Sequence, residues 1–291
     1  MPRLPVRKTY KLLIAGQFVR TESGRAYRAT SSSGEFLAHV PLGSRKDVRD
    51  AVKAARGAFA GWSGRTAYNR GQILYRAAEM LEERRAEFTG ALIRSTGVSR
   101  AAAAREVAVA VDRLVHFAGW ADKIAAILGS VNPVAAPYFD FSVPEPTGVV
   151  GIVSPESPAL LPLVTRLAAV TVSGNTAIAI ASEKTPIPAL LLGEVIGTSD
   201  VPSGVVNIVT GKKSELVLAL ASHRDVDALD DGSGDPALSK RIEEEAADRV
   251  RRIARPKASS PADWFSARAC EGIAAVEPFV EIKTTWHPAG A

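Results

Sequence analysis

From residue 148 to residue 254 the chain repeats one pattern: a short run of Val, Ile, Ala and Gly, then a longer run at helical spacing. "GVVGIV" (148–153), "TAIAIA" (176–181), "GVVNIVT" (204–210) and "DVDAL" (225–229) read as strands. Residues 159–172, 187–197, 213–222 and 235–254 read as the helices that follow them. Strands that are apolar throughout are covered on both faces, and intervening helices impose a parallel sheet. The fold class is therefore α/β, with a Rossmann-like parallel sheet. A chain of 291 residues, 46% of them hydrophobic, can bury a full core around such a sheet.

The N-terminal half supplies helices to wrap that sheet. "KLLIAGQFV" and "AYRAT" predict short strands around a turn at 21–24. Ser44, with Asp47 three residues on, reads as the N-cap of a helix. Amphipathic helices are expected over 67–93 and 99–128. Pro133, Pro137, Pro144 and Pro146 then break the period, and "YFDFSV" between them alternates as an exposed, two-faced strand does. The last segment alternates too, with Val280, Ile282 and Thr284 opposed to Glu281, Lys283 and Thr285. These two orphan strands are each other's expected partner. The expected organisation is N-terminal strands and helices over 1–129 and a β arm at 130–147. A core at 148–255 follows, then a linker, short helix and terminal strand over 256–291.

Composition narrows the function. The formal charge is +5, but Lys and Arg are mixed with acids. The densest cluster, "RVRRIARPK" (249–257), lacks interleaved aromatics and reads as a solvated helix face, so no nucleic-acid partner is expected. A single cysteine, Cys270, permits no internal disulfide and no cysteine zinc cluster, as fits a cytoplasmic protein. No stretch is apolar enough to span a bilayer. "DVDALDDGSGD" (225–235) fails the spacing of a calcium loop, so Asp227 reads as a strand end and Asp230, Gly232 and Gly234 as a turn. His39, His116, His223 and His287 are not at ligand spacing, and no metal site is expected. Cys270, in "SARACEGIA", reads as a buried or half-buried helix residue rather than a nucleophile. Ser182 and Glu183 fall just past the carboxyl end of a predicted strand, where open α/β sheets bind nucleotides.

Several segments, in order, resemble the aldehyde dehydrogenase superfamily: "GWSGRTAYNRGQILYRAAEMLEERRAEF" (61–88), "FAGWADK" (117–123), "PEPTGVVGIVSPE" (144–156), "SGNTAIAIASEKTPIPALLLGEVI" (173–196), "VPSGVVNIVTG" (201–211) and the final "FVEIKTTW". The resemblance implies an NAD-binding Rossmann-like domain wrapped by N-terminal helices, with a small β oligomerisation arm. The departures are specific. Glu156 and Ser157 stand where the family has a Trp and the Asn that helps hold the oxyanion. Ile180, Ala181, Ser182 and Glu183 replace a Lys-Pro-Ser-Glu turn whose Lys and Glu bind the adenosine ribose. "LDDGSGD" replaces a Phe-Thr-Gly-Ser turn, which places Asp230 and Asp231 where they would repel cofactor phosphates. The Glu-Leu-Gly-Gly base segment and the Gly-Gln-x-Cys nucleophile setting have no counterpart.

The resemblance and its gaps together imply a pseudoenzyme with no catalytic residues and a vestigial cofactor turn at Ser182 and Glu183. Its cofactor is none, or NAD(P) held weakly. Its role is assembly or regulation, as a homo-oligomer or as a hetero-oligomer with a full-length aldehyde dehydrogenase. Two alternatives stay open: an NAD(P)-dependent aldehyde dehydrogenase with a divergent site, and a nucleotide-binding module without chemistry.

Overall fold

The computed structural model describes residues 8–249 and 251–289. The chain opens with two hairpins. Strands β1 (Leu12–Ile14) and β2 (Gln17–Val19) turn at Ala15 and Gly16, both at positive φ, and β3 (Ala26–Thr30) pairs with β4 (Phe36–Pro41). "KLLIAGQFV" is thus a hairpin in itself, and "AYRAT" takes the unforeseen β4 as its partner. Leu12, Leu13 and Ile14 are buried, and β1 docks antiparallel on the main sheet.

Four helices and a short fifth follow: α1 (Arg45–Ser63), α2 (Ala67–Glu83), α3 (Arg85–Thr96), α4 (Arg100–Ala118) and α5 (Ile124–Leu128). The expected capping box starts α1: Asp47 N–H donates to the Ser44 hydroxyl, and Ser44 N–H donates to the Asp47 carboxylate (2.8 Å). The single helix expected over 67–93 is two helices that meet at Arg84, and the one over 99–128 breaks at Gly119. Strands β5 (Ser130–Asn132) and β6 (Tyr138–Pro146) come next.

The βα alternation then runs β7 (Val149–Val153), α6 (Leu161–Val172), β8 (Thr176–Ile180), α7 (Ile187–Thr198), β9 (Val206–Val209), α8 (Lys213–Ala221), β10 (Ala228–Asp231), α9 (Pro236–Ala247) and β11 (Arg252–Ala254). Among the described residues the main sheet has seven strands in the order β11-β10-β7-β8-β9-β1-β2, parallel from β11 to β9. Two expectations change here. The long helix expected over 235–254 ends at Ala247, and Ile253 and Ala254 continue as a strand opposite Leu229 and Asp230. "RVRRIARPK" is therefore not a helix face. Arg251 donates to the carbonyls of Ala221 and His223 at the end of α8, and Arg252 to those of Pro278 and Val280.

Helices cover both faces of the sheet. On one, α1, α8 and α9 pack Val52, Leu216, Leu220 and Ile242 against Val149, Ile178 and Leu229. On the other, every residue of α6 is buried, with α2, α3, α4 and α7 around it and Trp62, Phe88 and Phe117 filling the centre. Beyond β11, a short helix α10 (Ala267–Cys270) and 3₁₀ turns lead to β12 (Val280–Pro288). As expected, β12 pairs antiparallel with β6, from Val280 opposite Pro146 to Pro288 opposite Tyr138, giving the three-stranded arm β12-β6-β5.

Asn175, fully buried, knots arm to core. Its side-chain oxygen accepts Gly148 N–H (2.7 Å), and its amide donates to the carbonyls of Phe279 (2.8 Å) and Val170 (3.3 Å). Replacement by Ala strands these partners without water. An unsatisfied buried polar group costs about 1–3 kcal/mol. Asn175→Ala should therefore lower unfolding stability by about 2–4 kcal/mol in urea titrations, while Asn69→Ala, on an exposed helix start, changes it little.

Candidate functional site

The loops after β7, β8, β9 and β10 meet at the carboxyl edge of the sheet, where helix N-termini also converge. A cleft of about 330 Å³ opens there, lined by Glu156, Glu183, Lys213, Ser233, Asp235 and Arg241 among others. Ser182 and Glu183, the sequence-derived cofactor candidates, do lie at this edge. Ser182 is buried, donates to Glu156 Oε2 (2.7 Å) and shares a hydrogen bond with Thr185 Oγ1 (2.9 Å). The Glu183 carboxylate accepts the Lys213 N–H (3.0 Å) and so sits on the start of α8, not α7.

Lys213 is the residue that sequence reasoning missed. It is buried at the first turn of α8, and its ammonium pairs with Glu156 Oε1 and donates to the Ser154 carbonyl. Burial alone would raise the Glu156 carboxyl. The Lys213 ammonium, with the Lys184 N–H and the Ser182 hydroxyl, outweighs that and holds it below its ordinary value. The signal was present in "GKKSE": a lysine on the first turn after a buried strand points to the carboxyl edge of the sheet.

Asp230 and Asp231 do not face the cleft. Both are buried in β10. Asp230 is held bidentate by Arg166 of α6 (Nε–Oδ2 2.5 Å, Nη2–Oδ1 3.1 Å), with burial pushing its carboxyl up. Asp231 accepts from the Ser233 N–H (3.1 Å) and from the Ser233 and Ser239 hydroxyls. The expected repulsion of phosphates from this pair is therefore corrected: Asp230 is paired with Arg166, and Asp231 is hydrogen-bonded within the fold with Arg255 3.8 Å away. Nor does Asp227 end a strand. It precedes β10, accepting the Val149 N–H (2.7 Å) and pairing with Arg56 (2.5 Å).

A different carboxylate stands at the helix end. Asp235 accepts the N–H groups of Ala237 (2.9 Å) and Leu238 (3.2 Å), and Pro236 has no N–H to offer. The donors with which a helix start would receive a pyrophosphate are thus engaged within the chain. Ile180, where the resemblance would place a ribose-binding Lys, is buried within β8.

The other buried groups are structural in their contacts. Glu106 of α4 accepts the Leu160 and Leu161 N–H groups (2.7 and 3.1 Å) and caps α6, with burial pushing its carboxyl up. Cys270 is buried on α10, its thiol 3.5 Å from the Asp263 carbonyl oxygen and raised by burial. Among the described residues no group of three or more His, Cys, Asp and Glu side chains could hold a metal ion, and no helix is long and apolar enough to cross a membrane.

Residues 18–255 match the aldehyde dehydrogenase family. The chain belongs to that family. It is 34% identical over 232 residues to aldehyde dehydrogenase family 2 member B4 of Arabidopsis thaliana, covering 78% of this chain and 42% of that protein. The structure of HpcC from Thermus thermophilus superposes with a TM-score of 0.82 at 29% identity, covering 86% of this chain and 48% of that one. The NAD+ complex of an aldehyde dehydrogenase from Bacillus cereus gives 0.80 at 27% identity, covering 86% and 51%. The chain thus spans about half the length of these relatives.

The Glu156 carboxyl predicts a pH dependence with a definite sign. A folded-state value below the unfolded one adds stability above the unfolded value, and that stability is lost as pH falls through the folded one. Glu106 and Asp230, raised by burial, oppose this trend over the same range. The informative quantity is the difference between parent and Glu156→Gln. Between about pH 5 and pH 3 the parent should lose urea stability more steeply than the variant.

Proposed function

We propose that this chain is a non-catalytic member of the aldehyde dehydrogenase family that serves assembly or regulation beside a second copy or an intact aldehyde dehydrogenase. The observation that carries this reading is the connection from β11 to β12. Residues 255–279 alone join the last core strand to the arm strand, and they hold the chain's single cysteine buried under α4. A thiol raised by burial is a poor nucleophile, and the Cys270 thiol donates to a backbone carbonyl, that of Asp263. Groups that act together in catalysis lose nearly all rate when one is removed.

The arm supports the assembly role. Val131, Phe139, Phe141 and Val143 share one face of it, and Val131 and Phe139 are 68% and 49% exposed. β12 is an edge strand, paired on one side only among the described residues. An apolar face and an open edge together favour pairing with another chain.

The cofactor reading follows from the cleft. NAD(P) binds weakly or not at all, because the Asp235 cap and the Lys213–Glu156 pair engage the donors a pyrophosphate needs. The alternative, an active NAD(P)-dependent enzyme, draws on relatives such as the Bacillus cereus protein solved with NAD+.

NAD(P)H formation with a panel of aliphatic and aromatic aldehydes separates the two readings. Parent protein should give no turnover above the blank, and a turnover abolished by Cys270→Ala overturns the proposal. Light scattering tests the arm. The parent, alone or mixed with an intact aldehyde dehydrogenase from the same organism, should run as an oligomer, and Val131→Glu/Phe139→Glu should dissociate it with the circular dichroism unchanged. A parent that stays monomeric in both samples defeats the assembly role.

A further inference from the structure

Four donors converge on one carboxylate inside the cleft. The Ser182 hydroxyl and the Lys184 N–H donate to Glu156 Oε2 (2.7 and 3.0 Å). The Glu183 N–H reaches Oε1 at 3.4 Å, and the Lys213 ammonium pairs with the same oxygen. Two consecutive backbone N–H groups, a hydroxyl and an ammonium are the donor set of an anion site, since successive amides in a turn form an electropositive concavity and a lysine completes it. The set is also built independently of its occupant. The turn is fixed by Thr185 N–H donating to the Ser182 hydroxyl (3.0 Å), and Lys213 is held by the Ser154 carbonyl as well. The occupant comes from elsewhere, on the loop after β7, with its side chain 29% exposed against 9% for Lys213.

We propose that the 182–184 turn and Lys213 form a binding site for a phosphate group, and that the Glu156 carboxylate is its resident anion, shutting phosphate ligands out of the cleft. The carboxylate matches two of a phosphate's oxygens in charge and geometry, so each excludes the other. The two remaining carboxylates at the cleft are already engaged: Glu183 holds the Lys213 N–H and Asp235 caps α9. They lower the affinity of an incoming anion without closing the site. The inference is independent of the assembly role and of any activity, and its readout is binding alone.

Thermal unfolding in inorganic phosphate, against chloride at matched ionic strength, tests it. Four proteins are compared: the parent, Glu156→Gln, Glu156→Ala and Glu156→Ala/Lys213→Met. The parent melts at the same temperature in both salts. The two single variants show a phosphate-specific, saturable rise in Tm, half-complete at a phosphate concentration at least about tenfold below any that shifts the parent, the scale of one charge-assisted hydrogen bond. The double variant loses the rise. Glu156→Gln keeps the volume and one acceptor oxygen, so it reports the effect even where Glu156→Ala fails to fold. AMP in place of phosphate shows whether a nucleotide or the free ion is the better occupant. An equal phosphate response in parent and single variants, no response in folded Glu156→Gln, or a response that survives loss of Lys213 overturns the proposal.

Discussion

A parallel sheet buried on both faces leaves its polar chemistry at one place, the carboxyl edge. In this chain β7, β8 and β9 are buried at every position, and α6 above them has no exposed residue. Charge that enters this region has to be neutralised where it stands, because removing a carboxylate from water without a partner costs several kcal/mol. The fold meets that constraint at each point. Arg166 reaches Asp230, Lys213 reaches Glu156, and Glu106, Glu183 and Asp235 close the starts of three helices. The candidate site is thus the part of the sheet where each buried or half-buried carboxylate finds its partner, an ammonium or a helix N–H, within the chain itself.

This arrangement accounts for how the aldehyde dehydrogenase scaffold can persist here with a changed cleft. The scaffold's integrity rests on burial and on knots such as Asn175 and Asn207, which bind backbone groups of neighbouring segments. Those knots lie at the amino side of the strands or in the interior. The groups that line the cleft lie at the other edge and can change without disturbing them.

Much of the architecture was legible in the sequence because it rests on periodicity. The buried runs at 148–153, 176–181 and 204–210 have no polar alternation, and Ser44 with Asp47 marks a helix start by chemistry alone. The partnership of "YFDFSV" with "FVEIKTTW" followed from their being two strands of similar character left over from the βα run. What was not legible depends on distance across the fold. Ile253 and Ala254 become a strand through pairing with β10, against a local pattern rich in helix formers. Asp230 and Asp231 read as exposed turn acids because Arg166, 64 residues from Asp230 in sequence, carries the compensating charge. Ser182 and Glu183 were placed at the right edge, but Glu183 caps α8, 30 residues away, and only the structure brings Lys213 and Glu156 together.

The arm carries a row of polar side chains on the face opposite Phe139, Phe141 and Val143. Asn132 donates to Asp140 (2.7 Å) and to Ser142 (3.0 Å), and the Ser142 and Thr284 hydroxyls share a further hydrogen bond (2.8 Å). β6 and β12 lie far apart in the chain, so no hairpin turn sets their alignment, and this row does so instead. A slip of β12 by one residue would carry Thr284 to the opposite face and break its hydrogen bond with Ser142. The alignment is therefore written into side chains that any copy of β12 presents alike. The tail strand of a neighbouring protomer would read the same row in the same frame, and the sole advantage of the native tail is its tether, the high local concentration conferred by a shared backbone.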